Sequence, residues 1–239
     1  MTPYEYPGEE LDLFSRAVRW KAYFAKVLRP YIRGSVLEVG AGLGETTRAL
    51  VNPTVRRWVC VEPDVRHVSR LRALRLSAAV QPEIVVGNVV DVPETEQFDS
   101  IVYIDVLEHI RNDAAELSEV AKRLAVGGHL VVLSPAFQAL YSELDAALGH
   151  ERRYTKRSLA RVFPTDLRCV ALFYLDSIGL MLTFANRLAL RQSQPSLKQI
   201  LFWDRIVIPV SLIVDRLIGR SVGRSVVAVY RRPALRSEP

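Results

Sequence analysis

Short apolar runs and amphipathic stretches alternate along the first 135 residues. Leu11, Phe14, Val18, Tyr23, Val27 and Leu28 recur at near-helical spacing, which predicts a helix over 10–29 that Pro30 stops. Beyond it the pattern predicts strands at Ser35–Val39, Trp58–Val61, Ile84–Val86, Phe98–Ile104 and Leu130–Ser134. Helices are predicted between them at Glu45–Val51, Val65–Leu76 and Asp113–Leu124. The strands are apolar throughout rather than alternating, as in a parallel sheet covered on both faces. The pattern therefore predicts an α/β fold, a doubly wound sheet with helices on both sides.

After Pro135 the pattern changes. Residues 136–157 are polar and loop-like, Thr155–Phe163 reads as a helix and Leu167–Leu175 as a strand. Residues 177–218 are helical and strongly apolar, broken at Pro195 and Pro209, and Ser225–Arg231 is a last strand. A helical insert thus splits the last two strands. The expected organisation is one domain over 1–239: a helical cap over 1–30, a core over 31–135 and a segment over 136–239 that carries the insert. The longest uncharged stretches of the insert, Ser177–Asn186 and Ile206–Val214, fall short of the roughly 20 residues of a spanning helix. No transmembrane span is expected. A lid over an apolar substrate pocket, a homodimer face and a peripheral membrane contact are the uses left open for it.

Composition narrows the classes. The 239 residues are 49% hydrophobic and 24% charged, which excludes a disordered chain. The net charge is +6, but the arginines are scattered rather than gathered in one block. With no aromatic-basic platform beside them, nucleic acid is not the expected partner. Cys60 and Cys169 both lie in apolar runs and neither has a CxxC partner, so no metal site is expected. Two buried free thiols, and a beginning without a basic-then-apolar signal pattern, point to a cytoplasmic location.

The candidate chemistry begins at Val36-Leu37-Glu38-Val39-Gly40-Ala41-Gly42-Leu43-Gly44, a strand that ends in a glycine turn before a helix. A dinucleotide fingerprint would be G-x-G-x-x-G with a pyrophosphate on the helix N-terminus. Here Glu45 holds the third glycine's place, where a carboxylate would repel a pyrophosphate. The next strand ends in Glu62-Pro63-Asp64, about twenty residues on, where a carboxylate suits ribose hydroxyls. Glu62 could instead cap the following helix, although Asp64 is better placed to do so. Gly87-Asn88-Val89-Val90-Asp91 offers an amide for a base and a valine for its face, or an ordinary Asn turn. Asp105, in Tyr103-Ile104-Asp105-Val106-Leu107-Glu108-His109-Ile110, ends the fourth strand, and Gly127-Gly128 precedes the fifth.

These five segments, in this order, resemble class I S-adenosylmethionine (SAM)-dependent methyltransferases over roughly residues 30 to 135. The resemblance implies a Rossmann-like seven-stranded, mostly parallel sheet with the last strand antiparallel. It implies SAM as cofactor and S-adenosylhomocysteine as product. It implies a cofactor site from Glu38, Gly40, Ala41, Gly42, Glu62, Pro63, Asn88, Val89 and Asp105. Asn88 stands where the family commonly has aspartate. Leu144-Asp145, Gly149-His150-Glu151-Arg152-Arg153-Tyr154 and Gly223-Arg224-Ser225-Val226-Val227-Ala228 are similar to a bacterial subgroup of small methyltransferases with a GHxRRY-type segment.

Methyl transfer from a sulfonium needs an aligned nucleophile and, for oxygen or nitrogen, a base. His150 is the first candidate base, His109 the second, with Tyr154 as a further catalytic candidate. Arg152, Arg153 and Tyr154 could bind an anionic substrate group, or form a solvated start to a helix. His67 and His129 read as structural, and Tyr4, Tyr6, Trp20 and Tyr23 as core or as a cover over the site. The expected activity is methyl transfer to an oxygen or nitrogen of a small acceptor that is apolar, lipid-linked or sugar-containing. A nucleic-acid methyltransferase and a non-catalytic SAM-binding partner protein are the alternatives.

Overall fold

Every apolar run of the first half becomes a strand of one sheet. A computed structural model describes residues 14–76, 80–189 and 196–234. Its strands are β1 (Gly34–Val39), β2 (Val55–Glu62), β3 (Pro82–Val86), β4 (Phe98–Ile104), β5 (Leu124–Pro135), β6 (Arg168–Leu175) and β7 (Ser225–Arg231). They lie in the order β3-β2-β1-β4-β5-β7-β6. β7 is antiparallel to both β5 and β6, and the other pairings are parallel. The helices are α1 (Val18–Leu28), α2 (Glu45–Leu50), α3 (Val65–Arg72), α4 (Asp113–Ala121), α5 (Glu143–Ala147), α6 (Lys156–Val162), α7 (Ser177–Ala189), α8 (Leu197–Phe202) and α9 (Ile208–Leu217).

Side chains of alternate strand positions enter two separate cores, as the pleat requires. Val36, Trp58, Cys60, Val102, Val131 and Val229 face one side, with Trp20, Tyr23, Phe24 and Leu28 of α1 and Ile208 of α9. Leu37, Val59, Ile101, Tyr103, Val132 and Ala228 face the other, with Leu117 and Val120 of α4 and Leu159 of α6. Both faces are dry, so the apolar-throughout pattern was the correct signal for a doubly covered sheet. The strand order reverses between β1 and β4, the place where such sheets open a crevice at the carboxyl ends of their strands.

Several boundaries differ from the sequence expectation. The expected helix is interrupted: Phe14 and Ser15 are helical, Arg16 and Ala17 break the run, and a helix continues over Val18–Leu28; residues 10–13 lie outside the described residues. β5 begins at Leu124, so the expected helix gives way to strand three residues early, at Ala121. The 136–157 segment holds the short helix α5 rather than only loop. Pro209 does not break the insert. It sits in the first turn of α9, where a missing N–H costs nothing, and a π-helical turn at Trp203–Val207 leads into it. Pro195 lies outside the described residues. Cys169 is exposed, not buried, because β6 is an edge strand whose first half is uncovered.

Three buried aspartates fasten the insert. Ala17 has no side chain to cap α1, and Asp204 does so from the π-turn: Trp20 N donates to Oδ1 at 2.9 Å and Arg19 N to Oδ2 at 3.2 Å. Asp215 of α9 accepts from Tyr23 Oη at 2.7 Å, Asp176 N at 2.6 Å and Ser177 N at 2.9 Å. Asp176 accepts from Trp203 Nε1 at 2.8 Å and Ser211 Oγ at 2.6 Å. The outer side of the insert leaves Met181, Phe184, Phe202, Ile206, Ile213 and Leu217 exposed. Among the described residues, no helix is long and apolar enough to cross a membrane.

Asp215→Ala would strand three donors in the core at once. It is expected to lower unfolding free energy by at least about 3 kcal/mol, since bonds to charged groups contribute roughly 1.5–3 kcal/mol each. Urea unfolding with an unchanged slope would measure it; a loss below about 1 kcal/mol would remove Asp215 as the fastening group.

Candidate functional site

The glycine turn sits at the carboxyl end of β1, beside the end of β2. Gly40 N and Ala41 N both donate to Val61 O, at 2.8 and 3.2 Å. Gly40 has φ 71°, and a Cβ there would come within 2.6 Å of Val106 Cγ2, so only glycine fits. Gly42 has φ 54°, yet a Cβ there would meet nothing within 4 Å. One wall of the turn is therefore packed and the other faces open space. Glu62 Oε2 accepts from Gly42 N at 2.7 Å and Oε1 from Asp64 N at 2.9 Å. Asp64 is the cap of α3, accepting from Arg66 N at 2.9 Å. The two acids thus divide the roles: Asp64 starts the helix, and Glu62 sits at the glycine turn with half-buried Pro63 between them. His67 lies against Glu62, with Nδ1 3.4 Å from Oε1. His129 packs edge-on to Tyr31, their centroids 5.7 Å apart.

Glu38 lies under the turn. It is 2% exposed, and its Oε2 accepts from Thr47 Oγ1 at 2.5 Å and Trp58 Nε1 at 2.8 Å. Its Oε1 has no partner among the described residues. Burial pushes the carboxyl up to about 7, against the pull of those bonds.

Asp105 follows β4 with φ 53°, its N–H donating to Leu133 O at 2.9 Å. The residue is exposed, while protein atoms crowd its carboxyl. That crowding pushes it up to about 6, moderated by the charges of His150 and Arg224. Arg224 also lies 4.5 Å over the Trp203 ring, so the insert reaches this neighbourhood through it.

His109 and His150 meet edge to face, centroids 4.6 Å apart. Burial and the charge of His150 push His109 down to about 4, which keeps it neutral at neutral pH. His150 Nδ1 is 2.9 Å from Asp145 Oδ1, and its backbone N–H donates to Asp145 O at 2.8 Å. Asp145, 1% exposed, also accepts from Arg153 Nε at 2.8 Å and Nη2 at 2.9 Å. Burial would raise this carboxyl, but the bonds from His150 and Arg153 outweigh it and hold it well below its ordinary range. Glu108 is wholly buried between Leu107 and His109, and neither carboxylate oxygen has a hydrogen-bond partner among the described residues.

Comparison with known proteins agrees with this geometry. A family model described as a methyltransferase domain matches residues 37–130. Over that stretch, 94 of the 239 residues, the chain is similar to a methyltransferase domain. The tRNA U34 carboxymethyltransferase of Shewanella sp. strain W3-18-1 is 25% identical over 185 residues, 70% of this chain and 54% of that one. The chain thus spans about half the length of the curated relatives it matches. Among solved structures, N-methyltransferase NodS from Bradyrhizobium japonicum WM9, bound to S-adenosylhomocysteine, aligns with TM-score 0.59 at 17% identity, covering 92% of this chain and 89% of NodS. A chain from the complex of the Haloferax volcanii Trm112 methyltransferase activator with a methyltransferase aligns with TM-score 0.64 at 17% identity, covering 95% of both. At these identities the structures share the fold.

The structure brings Glu38, Gly40, Ala41, Gly42 and Glu62 together and places Asp105, His109 and His150 around a second centre. It corrects four other expectations. Val89 is 1% exposed and belongs to the core, whereas Val90 is 65% exposed beside the exposed Asn88. Tyr154 is 2% exposed and donates its hydroxyl to Asp113 at 2.7 Å, so it braces the core rather than facing substrate. Burial and that bond raise its pKa far above the usual phenol range. Arg152 donates to Ile110 O and Arg111 O and pairs with Asp113 at 2.8 Å. Arg153 is spent on Asp145. Neither arginine is left for an anionic substrate group. Tyr4 and Tyr6 lie outside the described residues. Sequence reasoning passed over Glu108 and Asp145, although both stand next to residues it selected.

Glu38 gives a pH test. Between pH 4.5, its ordinary value, and about 7, the folded protein keeps a proton that the unfolded chain has lost. Stability from this group is therefore full below that window and lost as pH rises through it. Glu38→Gln is expected to gain stability relative to the wild type from pH 4.5 to 7, seen by urea unfolding across pH. Parallel curves for the two proteins would show that Glu38 is ionised throughout.

Proposed function

We propose that this chain transfers the methyl group of SAM to an oxygen or nitrogen atom of a small acceptor that is apolar, lipid-linked or sugar-containing. The observation that carries the reading is the glycine turn with Glu62 at the ends of β1 and β2, and beyond it in the chain the Asp145–His150 pair after β5, with Asp105 between them in the sequence. SAM, when bound, supplies a methyl group on a positively charged sulfur.

The residues at the glycine turn fit that ligand. The open side of Gly42 leaves room against the backbone, and Glu38 holds a buried oxygen without a partner. Each Glu62 oxygen is used by one backbone N–H, which leaves lone pairs for two ribose hydroxyls. Asn88 is exposed for the base, with Val90 rather than Val89 as the apolar side chain within solvent reach. Asp105 carries the negative charge for an ammonium group.

After β5, Asp145 takes the Nδ1 proton of His150, which fixes the tautomer and leaves Nε2 to accept a proton from the acceptor's hydroxyl or amine. The exposed apolar side of the insert supports an apolar or lipid-linked acceptor, and also a homodimer or membrane-surface contact. A second reading has support of its own. The Shewanella relatives carry the name tRNA U34 carboxymethyltransferase, and the net charge of +6 suits a polyanion.

Calorimetry is expected to show S-adenosylhomocysteine binding in the micromolar range and no NAD binding. Glu62→Gln should weaken it about tenfold, the loss of a charge-assisted bond. His150→Asn should cut turnover by about 10²–10⁴, the usual contribution of a general base, with cofactor affinity little changed. Full turnover in that variant would remove His150 as the base. Methylation of tRNA, with lipid and sugar acceptors left untouched, would establish the second reading instead.

A further inference from the structure

We propose that Glu108, His109 and His150 hold a divalent transition-metal ion of the zinc, cobalt or iron(II) class. The inference rests on the functional reading above, because it places the ion at the His150 group that the reading assigns to the acceptor.

One ligand atom from each of the three side chains lies within 4.8 Å of the other two. Ligands at roughly 2.0–2.2 Å from one ion stand about 3–4 Å apart, so a small inward movement closes the set. The donors come from two segments, the turn after β4 and the loop after α5. A backbone bond clamps those segments together: Glu151 N donates to Glu108 O at 2.8 Å. The donor positions are thus fixed by the fold before any ion arrives.

Glu108 is the stronger evidence. Its side chain is fully buried, its two oxygens accept no hydrogen bond, and none of the ion pairs among the described residues includes it. A buried carboxyl without hydrogen-bond partners is kept neutral by its proton or met by a cation, and a metal ion between it and the two imidazoles supplies the second. Asp145 contributes the remaining feature. Its bond to His150 Nδ1 leaves Nε2 to ligate, which is the carboxylate–histidine–metal arrangement that orients imidazole ligands.

Two imidazoles and one carboxylate select borderline transition metals over magnesium or calcium, and three protein ligands leave a position open. An acceptor oxygen at that position would release its proton to water more readily. His150 would then act as a ligand in place of a base.

Cobalt(II) titrated into the EDTA-stripped full chain is expected to bind one ion per chain, with visible absorption bands that zinc removes. Glu108→Gln, His109→Asn and His150→Asn should each weaken binding at least about hundredfold, and Asp145→Asn by about 10–100-fold, the range seen for outer-shell partners. Circular dichroism checks that each variant is folded. Should the variants not fold, diethyl pyrocarbonate labelling of the wild type gives a second reading: zinc should protect His109 and His150 but not His67. No stoichiometric uptake at micromolar cobalt, unaltered uptake in the folded variants, or no zinc protection overturns the site. Titration with S-adenosylhomocysteine on the same samples separates the two proposals. Cobalt uptake without cofactor binding supports the site and removes the methyltransferase reading; cofactor binding without cobalt uptake does the reverse.

Discussion

Asp145 is 1% exposed and accepts bonds from the imidazole of His150, the guanidinium of Arg153 and both the backbone N–H and hydroxyl of Ser142. The post-β5 segment takes its shape from this carboxylate. Ser142 starts α5 on it, Arg153 closes the loop onto it, and His150 is held between. A charged acceptor inside protein is favourable only when its donors stay in place, so the donors in turn are constrained. His150 owes its orientation, and its closeness to His109, to a group whose own bonds all lie in the segment after β5.

The insert is fixed by the same kind of device. Asp176, Asp204 and Asp215 are buried and saturated by N–H and O–H donors from α1, the start of α7, the π-turn and α9. They attach an apolar helical layer to the sheet by directional bonds, where hydrophobic packing alone would allow it to slide. The arrangement also places Trp203 under Arg224, whose charge reaches Asp105. The insert and Asp105 are therefore linked through a single residue, Arg224.

The glycine turn beside Glu62 was legible because local chemistry dictates it. A strand that runs into Gly40-Ala41-Gly42 must turn at left-handed φ, and an acid at the end of the adjacent strand must face that turn if the strands are parallel. The helix-cap role of Asp64 followed from its position alone. The segment after β5 was not legible in the same way. Tyr154, Arg152 and Arg153 look like substrate groups in the string Gly-His-Glu-Arg-Arg-Tyr, yet all three are used up on Asp113, Asp145 and backbone carbonyls. Nothing in a linear pattern tells a spent arginine from a free one, because the partner lies in a different element.

The sequence by itself determined the α/β class, the strand positions within a few residues, the antiparallel last strand through its family resemblance, and the glycine turn after β1. These depend on periodicity, glycine geometry and neighbours close in the chain. The tertiary structure alone decided that Glu108 is buried without a partner, that His109 and His150 touch, that Cys169 lies on an open edge and that Pro209 starts a helix rather than breaking one. Each of those depends on which distant segment packs against the residue. Burial and pairing are set by the three-dimensional neighbours, and one position in a sequence carries no record of them.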